Sequence, residues 1–478
     1  MMNELWRWSA VELAHAIRTG EVSSREAVQS CLDRADQVNA TFNPLTEIYA
    51  DQAIKAADAA DAAVRGKQEL GMLHGVPVTI KANADLAGSA TTNGVVAYRD
   101  AIAKENNPAV DNWINAGAVV IGRTNVPAFS WRWFTDNDLH GRTVNPFDAA
   151  RTPGGSSGGA AVAAALGIGA LAHGSDQGGS IRYPAYACGV AGLRPSQGRV
   201  PGYNASQRSE RAVASQMAAT QGPLARTIAD LRLGLAAMSP GDSRDPWWVP
   251  APLDLRRPGD SRRVALFGGT PAFRPDPAVS EALRRSAAWL EDAGYIVEEA
   301  APPRFDEAVD LWLNVLMNEA SGSMQREIET VGDRAIQRAY QSMLTHTSIL
   351  DKEGFIKAMA MRTTILREWG AFFDRYPVLL MPVSLERPFP IDLDQQGDDI
   401  IGRMIRAQSP LISTAILGLP GLSVPVGLSD GVPMGVQLAA GRFREDLCLA
   451  AGEAIEARAS WSVLEQLPAA IARPAAWN

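Results

Sequence analysis

Histidine, lysine and cysteine are all scarce in this chain of 478 residues, and each scarcity excludes something. The three cysteines, Cys31, Cys188 and Cys448, are far apart and form no C-x-x-C, so a disulfide framework is not expected and a reducing compartment fits. The five histidines are His15, His74, His140, His173 and His346, with no H-x-x-x-H and no H-E-x-x-H, so no metal site is expected. No long basic run appears and the net charge is −8, which argues against nucleic acid or an anionic membrane as partner. The longest apolar run, Ala160 to Ala172, is too short to span a bilayer, where about 20 residues are needed. No apolar stretch follows Met-Met-Asn-Glu-Leu-Trp-Arg-Trp, so neither a signal peptide nor a membrane anchor is expected and the cytoplasm is the expected location.

Only six residues are lysine: Lys55, Lys67, Lys81, Lys104, Lys352 and Lys357. Arginine supplies the rest of the positive charge. A lysine in apolar surroundings therefore needs a reason.

The patterning is that of an α/β chain. Ser9-x-x-Glu12 and Ser23-x-x-Glu26 are capping boxes; the first helix stops at Gly20 and the second runs to about Asp36. Helices are also expected over Ala53–Val64, Asp111–Ala116, Ala160–Leu166, Pro277–Ala293 and Glu445–Ala457. Expected strands are Val76–Lys81, Ala118–Gly122, Val264–Phe267, Val378–Val383, Leu422–Val426 and Met434–Leu438. Residues 124–159 form a long irregular stretch, 174–180 a Gly-rich turn, and 240–263 a surface linker whose Asp254–Arg263 charge cluster is solvated. The pattern over 306–375 predicts a helical cover. One domain is expected over 1–478, with N-terminal helices in 1–65, a core in 70–240, a variable cover in 264–375 and the rest of the core in 376–470.

Three segments carry chemistry. Arg151-Thr-Pro-Gly-Gly-Ser-Ser-Gly-Gly159 has no lysine nearby and so is no phosphate loop. Gly154-Gly-Ser-Ser-Gly158 matches the G-x-S-x-G elbow of α/β-hydrolases, but no strand precedes it and no histidine follows His346. Serine catalysis here needs another base. Lysine serves when desolvation depresses its pKa, and S-x-x-K is absent. Lys81 ends an apolar strand and reads either as that base or as a strand-end lysine reaching solvent. In His173-Gly-Ser-Asp-Gln-Gly-Gly-Ser-Ile-Arg182, Gly178-Gly179 before Ser180 permits converging N–H groups, as an oxyanion hole requires, or simply a tight turn. Trp131-Arg-Trp133 and Trp247-Trp248 read as packing or as walls of a binding site.

Together these segments resemble the amidase signature family of serine hydrolases, over roughly residues 9–470. The carrying motifs are Gly71–Lys81, Gly122–Pro127, Asn145–Gly159, Gly174–Arg182, Cys188–Pro195, Gly198–Pro201, Gly418–Val426 and Gly431–Gln437. The resemblance implies a large twisted mixed sheet covered by helices on both faces, and a Ser-cis-Ser-Lys triad. The separations agree: 75 residues from Lys81 to Ser156 and 24 from Ser156 to Ser180. By that resemblance Lys81 is the base, Ser156 the bridging serine in a cis peptide and Ser180 the nucleophile. Amides of Gln177, Gly178 and Gly179 form the oxyanion hole and Ser130 lines the substrate channel. Ser157, Asp176 and Arg182 support them. The implied activity is hydrolysis of a carboxylic amide through an acyl-enzyme, extending to aryl amides, esters and carbamates. No metal or cofactor is implied; the partner is a small-molecule amide, and the state a monomer or homodimer.

The sequence departs from the family in places. Ala82 follows the lysine where Asp is common, and His173 and Gln177 stand where other members carry apolar residues or Thr. The alternative is the glutaminase component of a tRNA-dependent amidotransferase. Gln408 falls where that branch carries the acidic residue that holds the glutamine amino group, which favours a stand-alone amidase.

Overall fold

The computed structural model describes residues 4–207, 209–256, 260–270, 273–468 and 471. Both capping boxes form: Ser9 caps Ala10–Thr19 and Ser23 caps Ser24–Phe42, each with its reciprocal glutamate bond. Gly20 ends the first helix in the left-handed conformation, φ 75°. The second helix runs past the expected Asp36 to Phe42 and ends at Asn43, also left-handed.

One mixed sheet organises the described residues. Its strands in chain order are β1 (Leu45–Ile48), β2 (Pro77–Lys81), β3 (Val119–Thr124), β4 (Leu171–Asp176), β5 (Ala191–Arg194), β6 (Thr220–Ala225), β7 (Arg263–Leu266), β8 (Ile296–Glu299), β9 (Val378–Pro382), β10 (Gly421–Ser429) and β11 (Val432–Ala440). Their order across the sheet is β1-β3-β2-β4-β6-β5-β10-β11-β9-β7-β8. β2 runs parallel to both β3 and β4, with Val78 opposite Leu171, whereas β4 is antiparallel to β6.

Two expectations are corrected here. Residues 174–176 belong to β4 and not to a turn; the turn starts at Gln177. β1 is not expected from the pattern: it is a four-residue edge strand after Pro44, too short to show a period. The helical cover forms as Phe305–Ala320, Ser323–Val331, Arg334–Leu344 and Lys352–Arg375. Two helices without a Ser, Thr, Asp or Asn cap, Asp398–Ala407 and Ser409–Ile416, also escape the pattern. Of the Asp254–Arg263 charge cluster, residues 257–259 lie outside the described residues.

The helix Gly158–Leu166 is buried along its whole length and packs on β2, β4 and β6. Glycine at its start permits that approach. A Cβ on Gly159 would lie 2.4 Å from the Asn125 amide nitrogen, and one on Gly158 2.3 Å from Thr135 Oγ1. Among the described residues no helix is long and apolar enough to cross a membrane.

Candidate active site

Because β2 and β4 are parallel neighbours, their C-terminal ends deliver Lys81, Ser175 and Asp176 to one edge of the sheet, where ligands of open α/β sheets bind. All five residues of β2 are buried, Lys81 fully so. Its Nζ donates to Ser156 Oγ at 2.8 Å and to Ser175 Oγ at 2.9 Å. Ser175 Oγ also accepts from Asn83 Nδ2 at 3.0 Å. Burial pushes the Lys81 ammonium down to about 7, while the negative charge of Asp176 opposes the shift. The buried Arg123 holds the turn after Lys81, donating to the Lys81 carbonyl at 3.2 Å and to that of Ala84 at 2.6 Å.

Ser156 arrives from the long loop, and the Gly155–Ser156 peptide is cis. A Cβ on Gly155 would lie 2.4 Å from the Arg132 carbonyl oxygen and 2.5 Å from the Phe134 nitrogen, so only glycine fits there. Ser157 ties this loop to the next. Its N–H donates to the Ser180 carbonyl at 3.1 Å and its hydroxyl to the Ser175 carbonyl at 3.3 Å.

Asp176 organises the turn that carries Ser180. Its carboxylate accepts from the N–H groups of Gly179 at 2.8 Å and Ile181 at 3.1 Å, and from Arg182 Nε and Nη2 at 3.0 Å each. Burial disfavours the carboxylate, but Arg182, Arg194 and the Gly179 N–H together outweigh it and hold the group well below the usual range. Arg182 continues to Thr414 Oγ1, at 2.7 Å, and to Gln437. Ser180 is half-buried, and its hydroxyl makes no hydrogen bond among the described residues. The three amides expected to form the oxyanion hole differ in their partners. The Gly179 N–H is already donated to Asp176, whereas those of Gln177 and Gly178 have no partner among the described residues.

Ser156, Ser175, Gln177, Gly178 and Ser180 line a cavity of about 710 Å³. Ser130 lines it too, with its hydroxyl donating to Asn93 Oδ1 at 2.6 Å. Tyr98, Phe129, Trp131, Trp133 and Trp312 give it an aromatic wall. Phe129 meets Tyr98 edge-on at 6.1 Å, and Trp133 stacks on Trp312 at 6.2 Å. Asn83, Asn107, Asn204 and Gln221 line a polar part.

Three sequence readings end elsewhere. Trp247 and Trp248 do not line the cavity; their indoles donate to Gln216 Oε1 and the Ser239 carbonyl. Gln408 is buried with both amide atoms unpartnered among the described residues, and it too is outside the cavity lining. His173 is buried under Trp113 and bonded to Gln221, and burial pushes it down to about 4, so it is neutral. Sequence reasoning missed Ser175 and Asn83. For Ser175 the signal was present, a polar residue at the end of a buried strand beside Asp176; Asn83 lies in the turn two residues past Lys81 and gave none. Among the described residues no three His, Cys, Asp or Glu side chains gather as a metal site would need.

The family model described as Amidase matches residues 26–449. An indoleacetamide hydrolase of Bradyrhizobium diazoefficiens is 45% identical over 457 residues, covering 95% of this chain and 87% of that protein. The A subunit of the glutamyl-tRNA(Gln) amidotransferase of Acidothermus cellulolyticus is 32% identical, covering 95% of each chain. The crystal structure of a bacterial aryl acylamidase of the amidase signature family superposes with a TM-score of 0.82 at 26% identity, over 98% of this chain and 99% of that one. With a family match over most of its length and relatives covering nearly all of it, the chain belongs to the amidase signature family, and its reaction is hydrolysis of a carboxylic amide at the C–N bond.

Proposed function

We propose that the chain hydrolyses small aromatic amides, of the arylacetamide kind, with Ser180 as nucleophile, Ser156 as proton bridge and Lys81 as base. The observation that carries this is the buried Lys81 Nζ, 2.8 Å from Ser156 Oγ at the floor of an aromatic-walled cavity onto which Ser180 opens. A lysine titrating near 7 is half neutral at physiological pH and can accept a proton.

In the first half-reaction Lys81 takes the Ser156 proton as Ser156 takes that of Ser180. Ser180 Oγ attacks the acyl carbon, and the N–H groups of Gln177 and Gly178 receive the oxyanion. The proton returns through Ser156 to the leaving nitrogen, the C–N bond breaks, and ammonia or an amine departs. Water then adds to the acyl ester through the same relay, releasing the acid and restoring Ser180. Asp176 and Arg182 hold the turn, Ser175 holds the lysine, and Asn83 holds Ser175. Anilides, esters and carbamates present the same carbonyl and fall within this chemistry. The indoleacetamide hydrolase relative and the aromatic wall support the aryl preference. The same proposal has the enzyme working in the cytoplasm as a monomer or homodimer, without metal, cofactor, membrane or nucleic acid.

The test is a substrate panel of indole-3-acetamide, phenylacetamide, acetamide, glutamine, an acetanilide and a phenyl ester, with Ser180→Ala as blank. Arylacetamides should exceed acetamide and glutamine in kcat/KM by about tenfold or more, as burial of a ring gives. Glutamine as the preferred substrate would contradict the aryl reading. Added EDTA should leave the rates unchanged.

A further inference from the structure

The turn into Ser180 is held from the cavity side by two indoles. Trp312 Nε1 donates to the Gln177 carbonyl at 2.9 Å, and Trp133 Nε1 to the Gly178 carbonyl at 2.9 Å. The rings stack on each other with an interplanar angle of 21°. Trp133 comes from the long loop and Trp312 from the cover helix Phe305–Ala320, so two distant segments converge on adjacent peptide groups. The fit requires glycine: a Cβ on Gly178 would lie 2.6 Å from Trp312 Cζ2.

Gly178 and Gly179 are consecutive, and Gly179 sits at φ 103°, where peptide planes rotate cheaply. In a trans peptide the carbonyl of one residue and the N–H of the next point in opposite directions. Holding the Gln177 carbonyl therefore fixes the Gly178 N–H, and holding the Gly178 carbonyl fixes that of Gly179. The second consequence is visible, because the Gly179 N–H ends on Asp176 at 2.8 Å. The first leaves the Gly178 N–H fixed in direction with no partner among the described residues. Were that plane to flip, a carbonyl oxygen would replace the donor, and a developing oxyanion would meet repulsion.

We propose that Trp312 is a positioning residue that holds the Gly178 amide of the nucleophile turn in the orientation that receives the oxyanion, with Trp133 fixing the next peptide plane onto Asp176. This rests on the reading of Ser180 as nucleophile. A bond that orients an oxyanion donor acts in the transition state and not on the bound substrate, so its loss lowers kcat and spares KM.

The test compares Trp312→Phe and Trp133→Phe with wild type on an arylacetamide. It also replaces Trp312 by 3-benzothienylalanine, which keeps the ring shape and removes only the N–H. Three quantities are read: kcat, KM, and the inhibition constants of an arylmethyl boronic acid and of the product arylacetic acid. The benzothienyl variant should lower kcat about tenfold or more, leave KM within about twofold, and weaken the tetrahedral boronate by the same factor as kcat/KM, with product acid binding unchanged. Trp312→Phe, which also removes part of the aromatic wall, should lower kcat by more than it raises KM, and Trp133→Phe should lower kcat less than Trp312→Phe. The benzothienyl variant decides the matter if a phenylalanine variant folds poorly. A raised KM and weaker product binding at unchanged kcat would overturn the proposal and leave the indoles as pocket wall. Retained activity in Ser180→Ala would remove the nucleophile reading and the proposal with it, an outcome separable from failure of the clamp alone.

Discussion

Lys81 ends a strand with no exposed residue, so its charge is strongly disfavoured there. Its folded pKa of about 7 lies below the ordinary lysine value of 10.5, and two consequences follow. The rate should rise as pH passes through about 7 and hold into the alkaline range, because the neutral amine is the active form. Lys81→Arg should abolish it, since guanidinium keeps its proton; wild-type rates with Arg at 81 would make the lysine structural. Stability has its own sign. Between pH 7 and 10.5 the unfolded chain binds the proton that the folded chain has lost, so this group's contribution grows with pH there and is lost as pH falls through 7. Lys81→Met should lack that rise in urea midpoints measured at pH 7 and 9.5, and equal rises in both proteins would contradict it. Lys81 was legible because lysine is scarce and its approach is β-branched. Asn83 was not, because its role depends on a strand 92 residues away in sequence.

At the scale of the element, glycines act in opposite senses. Gly159 lies in the first turn of a buried helix with backbone atoms 2.4 and 2.6 Å from where its Cβ would stand, and backbone cannot step aside. Gly159→Ala should destabilise by about 1–3 kcal/mol or more, as overpacking does. Gly370 is exposed inside the helix Lys352–Arg375, with nothing within 4 Å. Gly370→Ala should stabilise by about 0.5–1 kcal/mol. Thermal unfolding of both checks the pair; shifts of the same sign would contradict the packing account. Elements with local punctuation were legible, such as the two capping boxes and the helix opened by Pro277 after Asp276. β4 was not, because Leu-Ala-His-Gly-Ser-Asp alternates nothing: it is buried between β2 and β6 and has no solvent face to impose a period.

Over the whole molecule, long-range pairing decides where the site lies. β5 joins β10, more than two hundred residues later, and the buried Arg132 reaches Asp394 at 2.7 Å. Such pairings leave no trace in local pattern, so the class of fold was legible and the strand order was not. All three cysteines are buried, and burial pushes the Cys31 thiol up to about 11. A thiol reagent such as Ellman's should therefore read close to zero groups in the native protein and three in guanidinium, with activity unaffected by the native treatment. A fast native reaction that inactivates the enzyme would place a thiol in the chemistry.

The central claim is that Ser180 carries the acyl group and Ser156 only passes the proton. The most direct measurement is peptide mapping after reaction with a fluorophosphonate, by mass spectrometry, alongside Ser180→Ala. One adduct on Ser180, absent from a folded and inactive Ser180→Ala, is the predicted result. An adduct on Ser156, with Ser180→Ala still turning over amide, would contradict it.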